Sequence, residues 1–185
     1  MIQSYVDYIH YLEEDRLSLR CDKSIKNIVY NDIWLFQRLL RNLEYITNCK
    51  KNRLLLLVTK FRYNRLSTKL GFTIPINVFG PGLSIAHRGT IVVNKEVKIG
   101  SNCRLHVCVN IGSQAGQGSL SPTIGDNCYI GPGVKIYGAI SIADNIAIGA
   151  NSVVNKSFSE SDITIAGVPA KKISNKSSIG LHYNL

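Results

Sequence analysis

The sequence lacks the marks of a membrane-spanning or disulfide-bonded protein. Its longest apolar run, residues 54–58, has five residues, whereas a transmembrane helix needs about 20. Residues 1–5 show no basic segment leading into an apolar one, so we expect no signal peptide. The five cysteines include no CxxC pair, and an odd number argues against a disulfide framework. We therefore expect a cytoplasmic protein, with peripheral association with the inner membrane surface left open.

Metal ligands are also scarce. The only histidines are His10, His87, His106 and His182, and their spacing does not match a metal site. The sequence therefore predicts no bound metal. With 185 residues, 45% of them hydrophobic, the chain can bury a core as one domain, or as one domain with an appendage.

Acidic residues are missing from a long central stretch. Residues 45–95 contain no Asp or Glu, although the formal net charge of the whole chain is +10. Such a stretch can bind nucleic acid, an anionic membrane, a phosphorylated cofactor or an acidic glycan, or it can be a solvated helix face. No nucleic-acid-binding motif accompanies the charge, so we do not expect nucleic acid as a partner. The cations are Lys50, Lys51, Arg53, Lys60, Arg62, Arg65, Lys69, Arg88 and Lys95.

Residues 1–72 have the three-and-four spacing of apolar residues that predicts helices. A first helix carries Tyr5, Tyr8, Ile9 and Leu12. A second begins near Asn31-Asp32, which are favourable capping residues, and a third spans residues 51–70 and ends at Gly71. We expect these apolar stripes to form core or subunit contacts. The second stripe is Ile33, Phe36, Leu39, Leu40 and Leu43, and the third is Leu54, Leu57, Val58 and Phe61.

After residue 75 an aliphatic or aromatic residue returns every six positions. Small residues and asparagines recur between these positions, as expected of turns that adopt left-handed backbone conformations. A period of six predicts a parallel β-helix, in which three hexads form one triangular coil and each coil stacks on the next. The series is Phe79, Ile85 and Ile91, then Val93, Ile99, Leu105 and Ile111, then Ile124, Ile130, Ile136, Ile142, Ile148 and Val154.

Wrapping the chain onto this prism predicts where side chains meet. The hexads that start at residues 85, 105, 130 and 148 fall on one face of successive coils. His87 and His106 should then lie on adjacent coils, one column apart. A strip with little side chain should run beyond them, where a ligand could contact the backbone. A histidine in such a position is either a structural imidazole or a base. The strip contains Gly131, Pro132, Gly149 and Ala150.

Residues 112–122 interrupt the hexads with a segment rich in glycine and serine. We expect it to protrude from the prism as an arm, either functional or a tolerated insertion.

These motifs together resemble the hexapeptide-repeat acyltransferases, and among them the serine O-acetyltransferase-like group. The resemblance covers residues 75–173 and depends most on residues 85–90 (IAHRGT), 122–127 (PTIGDN), 130–135 (IGPGVK), 148–154 (IGANSVV) and 166–171 (AGVPAK). It implies a left-handed parallel β-helix with an N-terminal α-helical region at residues 1–72, an acyltransferase domain at 73–173 and a C-terminal tail at 174–185. It also implies a homotrimer, with the helices able to join two trimers, and acetyl-CoA bound between subunits.

The resemblance also implies roles for particular residues. His87 is expected to be the general base, which removes the proton of a hydroxyl as it attacks the thioester. The acetyl-CoA site would contain Gly112, Ser113, Gly131, Pro132, Gly149, Ala150, Lys171 and Lys172, with the two lysines near the phosphorylated end. We expect His106 to orient His87 or to contact the acceptor, or to be an exposed turn residue. Arg88 is either an acceptor-binding residue or an ordinary surface arginine.

The chain departs from the serine-specific pattern around the base histidine. The position of the usual partner aspartate falls near Phe72-Thr73, the residue before the histidine is Ala86, and Ser121 replaces a histidine after the arm. These departures leave acetyl-CoA use intact and favour a hydroxyl of a capsule or lipopolysaccharide sugar as the acceptor. The alternatives are a serine O-acetyltransferase of cysteine biosynthesis and a non-catalytic trimeric scaffold.

Overall fold

The computed structural model of the protein describes residues 1–50, 52–116 and 120–182. Lys51, residues 117–119 of the arm and residues 183–185 of the tail lie outside the described residues. Four α-helices come first: α1 (Tyr5–Ser18), α2 (Ile25–Tyr30), α3 (Asp32–Tyr45) and α4 (Arg53–Leu70), with a π-helical turn at Ile46–Lys50. Within the part of the chain that is described, no helix combines the length and apolarity needed to cross a membrane.

Short strands joined by turns follow the helices in the described part of the chain, and a 3₁₀ turn (Ile179–Leu181) comes after the last strand. In chain order the strands are β1 (Phe72–Thr73), β2 (Ser84–Ile85), β3 (Ile91–Val93), β4 (Lys98–Ile99), β5 (Arg104–Leu105), β6 (Val109–Gly112), β7 (Thr123–Ile124), β8 (Tyr129–Ile130), β9 (Lys135–Tyr137), β10 (Ser141–Ile142), β11 (Ala147–Ile148), β12 (Val153–Val154), β13 (Thr164–Gly167) and β14 (Ala170–Ser174).

The strands form the three faces of a left-handed parallel β-helix, as predicted. The first face has the order β1-β3-β6-β9-β12, the second β4-β7-β10, and the third β2-β5-β8-β11-β13-β14. All pairings are parallel except β13 with β14, which is antiparallel. The predicted column is confirmed, because Ile85 pairs with Leu105, Leu105 with Ile130 and Ile130 with Ile148.

The inside of the prism is a continuous apolar core. The second inward position of each hexad is buried as well, so the thiols of Cys103 and Cys128 are fully enclosed. The two-residue shift in the repeat falls within β3, where Ile91 and Val93 are both buried. The turns hold an asparagine ladder in left-handed conformation, in which each side-chain amide donates to the next: Asn102 to Asn127, Asn127 to Asn145 and Asn145 to Asp162.

The helices begin and end largely where the sequence predicts. The Asn31 side chain accepts from the Trp34 backbone N–H and caps α3, and Gly71 ends α4 in a left-handed conformation (φ 78°). The predicted α3 stripe is also confirmed, since Phe36, Leu39, Leu40 and Leu43 are buried. The short helix α2 was not predicted.

The outer stripes of α1 and α4 do not belong to the core of one chain, so of the two expectations for them only subunit contact stays a prediction. On α1, Tyr5 and Ile9 are exposed, whereas Tyr11, Asp15 and Ser18 face the interior. On α4 the residues that point inward are Thr59, Tyr63, Leu66 and Leu70. The predicted stripe lies on the opposite side of α4 and is exposed: Leu54, Leu57, Val58 and Phe61.

A buried ion cluster attaches the helices to the first coil. The Arg41 guanidinium donates to Asp15 at 2.8 Å and to Glu44 at 3.0 Å. The same guanidinium donates to the carbonyls of Phe79 and Gly80 on the β-helix. Burial alone would lower the pKa of Arg41, but the two carboxylates raise it above its ordinary value. Arg41 therefore remains charged at any pH at which the protein is folded.

Candidate active site

The structure brings His87 and His106 together on adjacent coils of the third face. Strands β2 and β5, which pair side by side, carry them at their carboxyl ends. Their ring centroids are 6.2 Å apart, and the His106 ring lies 5.0 Å from that of Tyr129 on β8. The predicted proximity of the two histidines is confirmed. It arises because β2 and β5 pair in parallel, so that each histidine follows the same end of its strand.

His87 lines a cavity of about 140 Å³ where the helices meet the β-helix. Leu19, Asn31 and Ile33 form the wall on the helical side, and Ile85, Ala86, His87 and Arg104 form the wall on the β-helix. The Arg104 side chain is buried, and its Nη1 donates to Ser84 Oγ at 2.9 Å. The cavity therefore combines an imidazole with a fixed positive charge in a space suited to a small molecule.

His106 is held neutral near physiological pH. Burial is the largest cause that lowers its pKa, to about 4, and the charges of Arg104 and His87 add to the effect. Among the described residues, His106 Nε2 is buried without a hydrogen-bond partner. A neutral imidazole with an unused ring nitrogen can hydrogen-bond a ligand without placing a second positive charge beside His87.

Arg88, the residue after His87, is held by α3. Its Nη2 lies 3.3 Å from a carboxylate oxygen of Asp32, which also accepts from Lys69 Nζ at 3.1 Å. Asp32 is flanked by Asn31 and Ile33 of the cavity wall, so this ion pair attaches the turn carrying His87 to that wall. The proposed acceptor-binding role of Arg88 stays a prediction.

The strip of small residues runs away from the histidines along the third face. A Cβ on Gly131 would lie 2.7 Å from the Ile148 carbonyl oxygen, and one on Gly149 would lie 2.9 Å from Ala166 Cβ. These coils therefore stack too closely for side chains at either glycine. Pro132 and Ala150 are exposed beside them. The strip thus offers an elongated ligand a shallow path bordered by backbone.

The other candidates for the acetyl-CoA site are not all near this strip. Gly112 and Ser113 follow β6 on the first face, whereas Gly131 follows β8 on the third. Lys171 and Lys172 lie on β14, at the end of the third face, and Lys172 Nζ is 2.5 Å from Glu160. One chain alone therefore does not bring all of these residues together.

Several residues of the site were missed by the sequence reasoning. Arg104 and Asn31 line the same cavity because the helices pack against β2 and β5, and Asp32 beside Asn31 pairs with Arg88. The hexad pattern carries no information on that packing. The one signal available was the position of Arg104 directly before the inward Leu105, where a charged side chain needs a partner. Within the described ranges no group of His, Cys, Asp or Glu could hold a metal ion.

Residues 121–156 match the family described as Bacterial transferase hexapeptide (six repeats). The chain belongs to the hexapeptide-repeat transferases. Among curated members, the serine acetyltransferase of Buchnera aphidicola is 34% identical over 137 residues, which cover 72% of this chain and 48% of that one. That of Synechococcus elongatus is 35% identical over 95 residues, covering 51% and 38%. The chain thus spans less than half the length of these hexapeptide-repeat relatives.

Solved structures of hexapeptide-repeat proteins are also similar over most of the chain. Serine acetyltransferase from Neisseria gonorrhoeae in complex with serine has a TM-score of 0.73 at 26% identity, covering 92% of this chain and 71% of that one. The Brucella abortus enzyme in complex with coenzyme A has a TM-score of 0.75 at 25% identity, covering 94% and 70%.

These relatives correct the expected acceptor. The main expectation, acetylation of a capsule or lipopolysaccharide sugar, is contradicted, because the similar proteins are serine acetyltransferases. The departures at Phe72, Ala86 and Ser121 were given too much weight. They concern single side chains, whereas the cavity is also built from helical residues that no hexad position reveals.

Proposed function

We propose that the protein is an acetyl-CoA-dependent serine O-acetyltransferase, the activity considered above as an alternative. The placement of His87 and buried Arg104 in one small cavity, at the head of the small-residue strip, is the observation that carries this proposal. Serine is a small molecule with a hydroxyl that must lose a proton and a carboxylate that needs a positive partner. The names of the relatives point to the same acceptor.

His87 acts as the general base in this proposal. It takes the proton from the serine hydroxyl as the oxygen attacks the thioester carbonyl carbon, and it returns that proton to the departing thiolate. The C–O bond forms as the C–S bond breaks, so the products are O-acetylserine and free CoA. Positioned general-base catalysis contributes roughly 10²–10⁴ in rate.

Arg104 holds the acceptor carboxylate and His106 supplies a neutral hydrogen-bonding partner. A guanidinium fixed by Ser84 binds a carboxylate at little cost in side-chain entropy, because its geometry is already set. His106 is neutral around pH 7, so it can donate or accept a hydrogen bond to the acceptor without adding a charge beside Arg104. Arg88, tied to Asp32, keeps the His87 turn in position.

Acetyl-CoA lies along the strip of Gly131, Pro132, Gly149 and Ala150. Lys171 and Lys172 at the end of the same face suit its phosphates. Gly112 and Ser113 lie on another face, so they join the site only if a neighbouring copy contributes them. The protein is therefore proposed to act as a homotrimer with shared sites, and the helices allow a dimer of trimers.

The test is CoA release from acetyl-CoA and L-serine by the purified chain. We expect turnover with the wild type, a loss of 10²-fold or more in His87→Ala, and no change in His10→Ala. His10 is an exposed histidine on α1 and serves as the matched control. Absence of turnover on serine in a folded wild-type trimer would refute the proposed activity. Full turnover by His87→Ala would refute His87 as the general base but would leave the proposed activity standing.

A further inference from the structure

Helix α4 has two apolar sides, and the chain covers only one of them. The covered side packs on α3 through Tyr63, Leu66 and Leu70. The opposite side is exposed at positions i, i+3, i+4 and i+7, which form one continuous stripe on a helix. The exposed fractions are 74% for Leu54, 65% for Leu57, 50% for Val58 and 65% for Phe61. Isolated exposed apolar residues are ordinary, but a contiguous stripe marks an interaction surface.

The stripe is flanked by positive charge that has no acidic counterpart on the helix. α4 contains five cations and no Asp or Glu. Beside the stripe, Arg62, Arg65 and Lys69 form the rim of a cavity of about 430 Å³, whose floor is Leu35, Leu39 and Leu66. Lys69 is paired with Asp32. Within the described residues, Arg62 and Arg65 have no carboxylate within salt-bridge distance.

We propose that α4 docks the protein onto an anionic lipid bilayer. The stripe enters the boundary between headgroups and acyl chains, while Arg62 and Arg65 bind lipid phosphates at the cavity rim. Arg53 and Lys60 lie on the other flank of the stripe, about a quarter-turn from it, where they reach headgroups on that side. The helix is parallel to the surface in this arrangement, so no membrane-spanning segment is required.

Charge favours a bilayer over the other occupants of such a face. In a two-fold contact between copies of the chain, the cations on α4 of one copy would face the same cations on α4 of the other. Like charges that face each other disfavour such a contact. A nucleic acid would satisfy the cations but leave the leucines and the phenylalanine in water. An anionic bilayer satisfies both halves of the surface at once.

The test is co-sedimentation of the full-length protein with phosphatidylcholine vesicles, with and without phosphatidylglycerol. We expect binding only to the phosphatidylglycerol vesicles, weakened by added salt. Arg62→Gln/Arg65→Gln should lower partitioning by about 30-fold, given the typical attraction of two cations to an anionic surface. Leu57→Gln/Phe61→Gln should lower it at least as much. In Phe61→Trp, the added fluorescence should shift to the blue with phosphatidylglycerol vesicles.

The controls remove the same chemistry from elsewhere on the surface. Lys95→Gln/Lys98→Gln removes two exposed cations away from α4, and Ile173→Gln/Ile179→Gln removes two exposed apolar residues. Both controls should bind like the wild type, and thermal unfolding checks that every variant is folded. Equal losses in controls and α4 variants, or no binding to either vesicle, would overturn the proposal. If the wild type does not bind vesicles and Leu57→Gln/Phe61→Gln dissociates the oligomer, the stripe instead contacts a second copy of the chain.

Discussion

Replacing Arg41 by methionine should destabilise the protein more than any surface ion-pair mutation. Methionine keeps much of the side-chain volume but leaves Asp15 and Glu44 buried without their cation. The carbonyls of Phe79 and Gly80 also lose their donor. Removing one partner of a buried ion pair costs about 3–5 kcal/mol, because the remaining charge stays desolvated.

The structure predicts where that loss is felt. Asp15 Oδ1 also accepts from the Leu83 backbone N–H at 2.9 Å, and Leu83 precedes the strand that leads to His87. If the helices detach from this coil, the cavity loses the wall formed by Leu19 and Asn31. For a chain of this length, 3–5 kcal/mol corresponds to a fall of about 6–20 °C in melting temperature. We also expect a raised KM for serine.

Chemical denaturation monitored by circular dichroism measures the change in unfolding free energy directly. Arg16→Met is the control: Arg16 is partly buried and pairs with Glu13 at 2.6 Å, but the Glu13 side chain is open to solvent, so no carboxylate is left desolvated and the loss should be about 1 kcal/mol. Adding Asp15→Asn and Glu44→Gln to Arg41→Met should recover part of the loss. If Arg41→Met costs no more than Arg16→Met, the cluster does not hold the helices to the coil.

Two further predictions concern the strip and the histidines. Gly131→Ala places a Cβ 2.7 Å from the Ile148 carbonyl oxygen, so the coils beside the strip must shift. Steady-state kinetics should show a several-fold higher KM for acetyl-CoA and little change in the KM for serine. Gly180→Ala is the control and should change neither KM, because its added Cβ meets nothing within 4 Å. The pKa of His106 is lowered to about 4 in the folded protein, whereas an unperturbed histidine in the unfolded chain has a pKa of ~6.5. Between these two values the unfolded state binds more protons, so the folded state loses stability as the pH falls through this window. Because the His106 ring is partly exposed, we expect its protonation to lower the free energy of unfolding by only about 1–2 kcal/mol across this window. Thermal melts at both ends of the window should show a smaller loss in His106→Gln, and an equal loss would refute the assignment.

The β-helix could be predicted in detail because its side chains repeat. A period of six fixes which residues point inward, and stacking then fixes which residues are neighbours. The register Ile85, Leu105, Ile130 and Ile148 follows from counting alone. Even the two-residue shift was placed correctly, since β3 buries two residues instead of one. The adjacency of His87 and His106 is a consequence of that register.

The cavity could not be predicted in the same way. Its helical wall depends on how α1 and α3 dock, and docking depends on Asp15, Arg41 and Glu44, which are charged residues at buried positions. Sequence reasoning places charged residues on the surface unless a partner is known. Arg41 and Glu44 are three residues apart on α3, which predicts a surface pair as readily as a buried one, and no pattern links Asp15 to Arg41, 26 residues away.

Helix α4 shows why periodicity predicts a helix more securely than it predicts the side that is buried. Its sequence contains two apolar stripes roughly half a turn apart, and each satisfies the three-and-four spacing. The stripe of Leu54, Leu57, Val58 and Phe61 is apolar at every position and has the stronger apolar signal, yet the chain packs the stripe that contains Thr59 and Tyr63. The choice is made by α3, which presents Phe36 5.2 Å from the Tyr63 ring, and by the Tyr63 hydroxyl, which donates to the Ile74 carbonyl. This outward apolar stripe is not buried when the chain folds, so the free energy of removing it from water remains available for binding.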